Sequence, residues 1–182
     1  MILGLGEAKK KGKIGKLFVM GCLSERFLKD LENELPEVDR FYGKFNWKEL
    51  LNDLGKSYHR ELAADRVLTT PRHYAYLKIA EGCDRTCSYC AIPISTGRYQ
   101  SIPMEEIEKE VRLLVKQGVK EFQVIAQDLT YYGLDLYKRH ALPELVERIS
   151  DIPGVEWIRL HYGYPSHFPY DLLKVMRCLL YT

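Results

Sequence analysis

The sequence predicts an α/β fold in which strands and helices alternate along most of the chain. Short apolar runs, rich in branched and aromatic side chains, indicate strands, and longer stretches with apolar residues at helical spacing indicate helices. Repeated strand–helix units imply parallel strands with right-handed crossovers. The 182 residues are 46% hydrophobic and 29% charged, which suffices for one large domain or two small ones.

The first predicted strand, residues 17–20, follows a lysine-rich stretch, residues 9–16, that we interpret as a solvated helix end. Cys22 comes shortly after this strand, at the carboxyl end, where the ligands of open α/β sheets gather. The next helix is predicted to be capped by Ser24 and to have one apolar face. That face is formed by Phe27, Leu28, Leu31 and Leu35.

A second strand within residues 38–45 and a helix over residues 47–54 complete the amino-terminal region. Asn46 is predicted to cap this helix and Gly55 to end it. A mixed, polar stretch follows and is interpreted as an interdomain linker. The predicted boundaries are 1–58 for a partial amino-terminal domain, 59–70 for the linker and 71–182 for a partial second domain.

The second domain is predicted to contain three strand–helix units, with strands over residues 73–80, 121–126 and 155–162. Ser101 is predicted to cap the first helix, which has Pro103 in its first turn. Three such units form less than half of an eight-fold β/α barrel, which takes about 250 residues. The chain is therefore expected to be truncated within this domain.

Three cysteines follow the first strand of the second domain. Cys83, Cys87 and Cys90 have the spacing C-x3-C-x2-C. A closed structural zinc site takes four protein ligands, and a closed [4Fe-4S] cluster takes four thiolates. Three thiolates would leave one iron of such a cluster open to a small molecule, and this open cluster is the preferred interpretation.

Other readings of the cysteines remain open. A zinc site would borrow His73 or His161 as a fourth ligand, although neither lies at a customary zinc-ligand offset. A disulfide is disfavoured because the sequence shows no secretory signal, and five cysteines suit the reducing cytoplasm. No apolar run approaches the ~20 residues that cross a bilayer. The net charge of +2 neither requires nor excludes nucleic acid.

The cysteine motif combined with Gly21-Cys22 resembles the methylthiotransferases of the radical S-adenosylmethionine superfamily. Residues 9 to about 177 are similar to the RimO-type branch, which modifies an aspartate of the twelfth small-subunit ribosomal protein. The similarity is carried by VMGCLSER (19–26), EGCDRTCSYCAIP (81–93) and VIAQDLTYYG (124–133). A transfer-RNA methylthiotransferase and a non-catalytic iron–sulfur or zinc-binding fragment are the alternatives.

The resemblance implies a partial TIM barrel in which Cys83, Cys87 and Cys90 hold a [4Fe-4S] cluster whose open iron binds S-adenosylmethionine. An electron donor such as flavodoxin or ferredoxin is implied, and the ribosomal protein is the substrate. Cys22 matches one of three ligands of a second [4Fe-4S] cluster, and residues 1–21 contain no cysteine that matches the other two. The chain is therefore expected to lack both ends of the enzyme and not to complete methylthiolation alone.

Cofactor-binding candidates lie where strands end, because functional groups of β/α barrels gather at the carboxyl ends of the strands. Gln127 and Asp128 end the second strand and are predicted to hydrogen-bond the cofactor. The alternative for Asp128 is a cap of the following turn. Tyr89 is predicted to contact the adenine or to shield the cluster. Three weaker candidates are Arg98, His161 and Tyr162.

Overall fold

The chain divides into two units, each with its own set of internal contacts. The first unit is Met1–Arg60 with Cys87–Thr96, and the second is Glu61–Thr86 with Gly97–Thr182. The computed structural model describes residues 1–57, 66–166 and 168–179. Most of the predicted linker lies outside the described residues, so this linker stays a prediction.

The described residues of the first unit form two short parallel strands and four helices, labelled here in chain order. They are α1 (Ile2–Lys10), β1 (Phe18–Met20), α2 (Cys22–Glu34), β2 (Arg40–Tyr42), α3 (Trp47–Asp53) and α4 (Ile92–Thr96). Strand β1 pairs with β2 in parallel, with Val19 opposite Phe41. Helix α2 contacts both strands and α4. Both predicted strands of this region are confirmed.

Two predicted helix caps in the first unit are wrong. Helix α2 begins at Cys22, so Ser24 lies inside its first turn, and this buried hydroxyl has no hydrogen-bond partner among the described residues. Asn46 precedes α3, but its side-chain oxygen makes no capping bond, and its amide nitrogen donates to Glu49 Oε1 at 2.9 Å. The predicted apolar face of α2 is only partly covered, since Phe27 and Leu28 are 38% and 40% exposed.

The second unit is built on a three-stranded parallel sheet. Its elements are β3 (Tyr74–Lys78), β4 (Ala80–Glu81), β5 (Gln100–Ser101), α5 (Met104–Lys116), β6 (Glu121–Ile125), a 3₁₀ helix (Leu129–Tyr131), α6 (Leu142–Ser150), β7 (Trp157–Leu160) and α7 (Asp171–Leu179). The strand order is β3-β6-β7. The register places Leu77 opposite Val124 and Val124 opposite Leu160. The predicted α/β class and three β/α units are confirmed.

One face of this sheet forms the core because every second strand residue is apolar. The buried strand residues are Ala75, Leu77, Phe122, Val124 and Ile158. They belong to the same core cluster as Ile107, Val111 and Leu114 of α5 and Leu145, Val146 and Ile149 of α6. Full burial of one such side chain stabilises the fold by about 1.5–3 kcal/mol. The core thereby fixes the edge at which β3, β6 and β7 end.

Ser101 does not cap α5. It lies in β5, which pairs antiparallel with β4, and its Oγ donates to Asp135 Oδ1 at 2.5 Å. Helix α5 begins three residues after Ser101, at Met104, so Pro103 directly precedes the helix and does not lie in its first turn. None of the helices in the described ranges is both long and apolar enough to cross a membrane.

Candidate functional site

The cysteine motif lies on an irregular segment that begins after β4. Cys83 is buried in the second unit, and its N–H donates to Gly97 O at 3.2 Å. Cys87 and Cys90 belong to the first unit, where Cys90 N–H donates to Cys87 O at 3.1 Å. The three cysteines are free thiols, with Cys87 exposed and Cys90 half-buried. Among the described residues, no three His, Cys, Asp or Glu side chains form a ready metal-binding group.

Gly82, immediately before Cys83, packs against the backbone of residues 97–98. Its φ is +73°, and a Cβ at this position would lie 2.1 Å from Arg98 O and 2.7 Å from Gly97 O. Backbone atoms cannot yield as a flexible side chain can. Only glycine therefore allows the segment to approach residues 97–98 and to place Cys83 N–H on Gly97 O.

Asp128 is a buried acidic residue at the edge of the sheet where the strands have their carboxyl ends. One carboxylate oxygen, Oδ1, accepts from Thr130 N at 3.0 Å and Thr130 Oγ1 at 2.6 Å, which caps the 3₁₀ helix. The other oxygen, Oδ2, accepts from Arg85 Nε at 2.9 Å and Arg85 Nη2 at 2.8 Å. Asp128 thus makes the capping bond that the sequence left as an alternative. Its predicted contact with a cofactor stays a prediction.

Arg85, which lies between the first two cysteines, is held between aromatic rings. Its guanidinium carbon is 4.9 Å from the ring centre of Tyr131 and 4.2 Å from that of Tyr164. Such contacts contribute about 0.5–1 kcal/mol at exposed sites and more when water is excluded. The buried carboxylate and the two rings therefore fix the direction of the Arg85 side chain.

Tyr99 forms hydrogen bonds with both Asp128 and Asp84, the residue after Cys83. Its N–H donates to Asp84 Oδ1 at 2.9 Å, and its hydroxyl donates to Asp128 O at 2.9 Å. Burial raises the pKa of the Tyr99 phenol well above its ordinary value, and the nearby Asp128 charge adds to this effect. Tyr99 therefore stays protonated and keeps donating its hydrogen bond over the neutral pH range.

The remaining predicted residues have varied surroundings. Tyr89 is 93% exposed in the first unit, so nothing in that unit shields it. Cys22 is exposed at the first position of α2. Gln127 is exposed and lies two residues after the end of β6. The contacts of Tyr89 and Gln127 with the cofactor therefore stay predictions. So does the role of Cys22 as a ligand of a second cluster.

His161 and Tyr162 follow β7 directly. His161 Nε2 lies 2.6 Å from Gln123 Oε1, a contact that orients the imidazole ring. Tyr162 is 71% exposed and has a φ of +65°, a conformation that non-glycine residues rarely adopt and that clusters at functional sites. Arg98, the third weaker candidate, is exposed.

The donor set suits an iron–sulfur cluster. Three free thiols lie on a segment without helix or extended-strand constraints, and thiolates are the ligands that such clusters take. In addition, Arg85 N–H donates to Cys83 Sγ at 3.5 Å. Amide donors on ligand sulfurs are a recognised means of tuning these clusters.

Sequence reasoning missed the residues that hold the segment after Cys83. These residues are Asp84, Arg85, Tyr99, Tyr131 and Tyr164. Arg85 and Asp128 are 43 positions apart, so local spacing gives no sign that they meet. The available signal was an arginine inside the cysteine motif and an acid at the tip of the next parallel strand, since such strand ends share one edge.

Comparison with known proteins defines the class. The profile of the Radical SAM superfamily matches residues 77–178, which is more than half of the chain, so the chain belongs to the Radical SAM superfamily. A solved radical S-adenosylmethionine methyltransferase, TsrM from Kitasatospora setae, is similar over 61% of this chain and 23% of its own, with a TM-score of 0.45 and 17% identity.

Among curated proteins the chain is similar to the ribosomal protein uS12 methylthiotransferase RimO of several bacteria. The relative from Parabacteroides distasonis is 85% identical over 177 residues, which cover 97% of this chain and 41% of the relative. The relative from Bacteroides thetaiotaomicron is 73% identical and that from Flavobacterium johnsoniae 55%. The chain spans about two fifths of the length of these relatives.

Proposed function

We propose that this chain takes part in radical methylthiolation of an aspartate side chain of ribosomal protein uS12. The observation that carries the proposal is the 85% identity, over nearly the whole chain, to a relative named as the uS12 methylthiotransferase. The cysteine motif lies within the matched superfamily region. The uS12 substrate and a one-electron donor such as flavodoxin or ferredoxin are parts of the proposal.

The proposed roles follow from chemistry that each side chain can supply. Cys83, Cys87 and Cys90 would hold a [4Fe-4S] cluster as thiolates, with one iron left for S-adenosylmethionine. Such a cluster would supply the electron for reductive cleavage of this cofactor, and with it the radical chemistry. Gln127 is exposed where β6 ends and is proposed to hydrogen-bond the cofactor there.

Cys22 is proposed as one ligand of a second cluster that supplies sulfur. It is the only cysteine that precedes Cys83 in the sequence. A cluster held by three cysteines of the amino-terminal region therefore cannot form from this chain alone. We expect the isolated chain to cleave S-adenosylmethionine without forming a methylthio product.

The test is anaerobic reconstitution with iron and sulfide, followed by incubation with S-adenosylmethionine and a strong reductant. We expect four irons per chain at the motif and release of 5′-deoxyadenosine. Substitution of Cys83, Cys87 or Cys90 by alanine should abolish both. Cys178→Ala is the matched control, because this cysteine lies outside the motif, and it should leave both unchanged.

Two outcomes would contradict the proposal. A colourless protein that binds zinc instead of iron would identify the motif as a zinc site. A cluster that loads fully but never cleaves S-adenosylmethionine would indicate a non-catalytic iron–sulfur protein. For the substrate, uS12 and transfer RNA should be compared with a full-length relative, because modification of transfer RNA alone would overturn the assignment to uS12.

A further inference from the structure

We infer that the Arg85–Asp128 ion pair is a positioning device that holds the Arg85 backbone N–H on the Cys83 sulfur and thereby raises the reduction potential of a cluster bound there. The inference rests on the proposed function in one respect, that a cluster loads through Cys83. It assigns a role to two residues at positions that do not ligate iron.

The hydrogen bond to the sulfur comes from the same residue that forms the ion pair. Arg85 N lies 3.5 Å from Cys83 Sγ, and the side chain of Arg85 reaches Asp128 through two nitrogens. A backbone N–H points where its residue's φ and ψ direct it. Fixing the far end of the side chain therefore restricts the direction in which this N–H can point.

The anchor for Arg85 is rigid. The Asp128 side chain is 3% exposed, and its second oxygen is already held by Thr130. The Arg85 side chain is 19% exposed and lies against the rings of Tyr131 and Tyr164. Its Nη2 also donates to the backbone carbonyl of Ser166 at 3.4 Å. Few rotamers satisfy all these contacts, so the arginine holds one direction.

The expected consequence is electrochemical. An N–H that donates to a ligand sulfur stabilises the reduced, more negative state of a cluster, so losing it lowers the reduction potential. If the two side chains acted on the cluster only through their charges, the reduction potential would change differently. Removing the negative charge of Asp128 should raise the potential, and exchanging Arg85 for another cation should leave it unchanged.

The discriminating variants are therefore Asp128→Asn and Arg85→Lys. The first removes an anion with little change of shape, and the second keeps the charge but loses the two-nitrogen contact. Both should lower the potential if the pair positions the N–H. Arg112→Gln on α5 is the control, because it removes an exposed cation whose ion pair is with Glu108 of the same helix. The reduction potential of this variant should match that of the unsubstituted protein.

The measurement is an anaerobic redox titration followed by electron paramagnetic resonance, with iron content and circular dichroism for every variant. An unchanged or raised potential in loaded Asp128→Asn or Arg85→Lys would overturn the inference. Loss of iron from folded Arg85→Lys would also overturn it, because the pair would then build the site instead of tuning it. If the unsubstituted protein loads no cluster, the proposed function fails first, which the iron content shows directly.

Discussion

At the scale of single residues, Gly82 is the position where the cysteine segment tolerates least change. Gly82→Ala should destabilise the second unit through two effects. A left-handed backbone angle costs an alanine about 1–2 kcal/mol. The contact with the carbonyls of residues 97 and 98 should add about 1–3 kcal/mol of overpacking. Denaturant unfolding measures the sum.

Gly118→Ala separates the two effects. Gly118 has a φ of +96°, but a Cβ there would meet no atom within 4 Å. This variant should therefore lose only about 1–2 kcal/mol, the cost of the left-handed angle. Equal losses in the two variants would show that the segment at Gly82 shifts to accept a side chain.

The sequence predicted the residues whose chemistry is local. The spacing of the cysteines and the turn preference of Asp128 are both visible within a few neighbouring positions. The ion pair of Asp128 with Arg85 is not, because it depends on β3 and β6 ending at the same edge. Residues that contribute through tertiary contacts carry no local signature. Sequence reasoning therefore predicted the three cysteines as ligands and missed the residues that hold their segment in place.

At the scale of elements, two hydrogen bonds link β2 to Asp53, the last residue of α3. The buried Tyr42 hydroxyl donates to Asp53 Oδ2, which also accepts from Arg40 Nη1 at 2.7 Å. Burial, and next the bond to Asp53, raise the pKa of Tyr42 to about 12. The same bond holds the pKa of Asp53 below its ordinary 3.8.

These opposite shifts confine the stabilising effect to a window of pH. The raised pKa of Tyr42 gives stability that is complete below pH 10.0 and lost as pH rises through about 12. The lowered pKa of Asp53 gives stability that is complete above 3.8 and lost as pH falls further. Tyr42→Phe should therefore destabilise the protein most between these limits.

Unfolding free energies of Tyr42→Phe and the unsubstituted protein should be measured from acid to alkaline pH. Tyr76→Phe makes the same chemical change on β3, where the side chain is 47% exposed, and serves as the control. The difference in unfolding free energy between Tyr76→Phe and the unsubstituted protein should not change with pH. If the difference in unfolding free energy between Tyr42→Phe and the unsubstituted protein were equally independent of pH, the assigned hydrogen bond would be wrong.

Elements with strong periodicity were predicted well, and their ends were not. Apolar residues at helical spacing, with Pro143 in the first turn, predict a helix over residues 142–150, and α6 (Leu142–Ser150) has this range. Three predicted caps failed, at Ser24, Asn46 and Ser101. Ser24 lies inside α2 and Ser101 lies in β5, so neither serine occupies the residue directly before a helix from which a side-chain oxygen can accept from the first free N–H groups.

At the scale of the whole molecule, buried apolar side chains are unequally divided. The second unit has one continuous core that joins its sheet to α5 and α6. In residues 1–57 the buried hydrophobic residues are Leu17, Phe41 and Tyr42. Several large apolar side chains of that region are more than half exposed, namely Leu3, Leu23, Phe45, Trp47 and Leu54. Local stability follows buried apolar contact, so the two units should differ.

Hydrogen–deuterium exchange under native conditions tests this difference. Amides of β6, α5 and α6 should exchange at least about tenfold more slowly than those of α1, α2 and α3, which corresponds to about 1.4 kcal/mol of opening free energy. Leu114→Ala should speed exchange in α5 and β6, because it opens a cavity at a fully buried position. Such a cavity lowers the free energy of unfolding by about 2–5 kcal/mol. Leu113→Ala is the matched control on the same helix, since Leu113 is only half-buried, and it should have a much smaller effect. Equal protection in the two units would mean that the small core of the first unit is stabilised as strongly as the continuous core of the second.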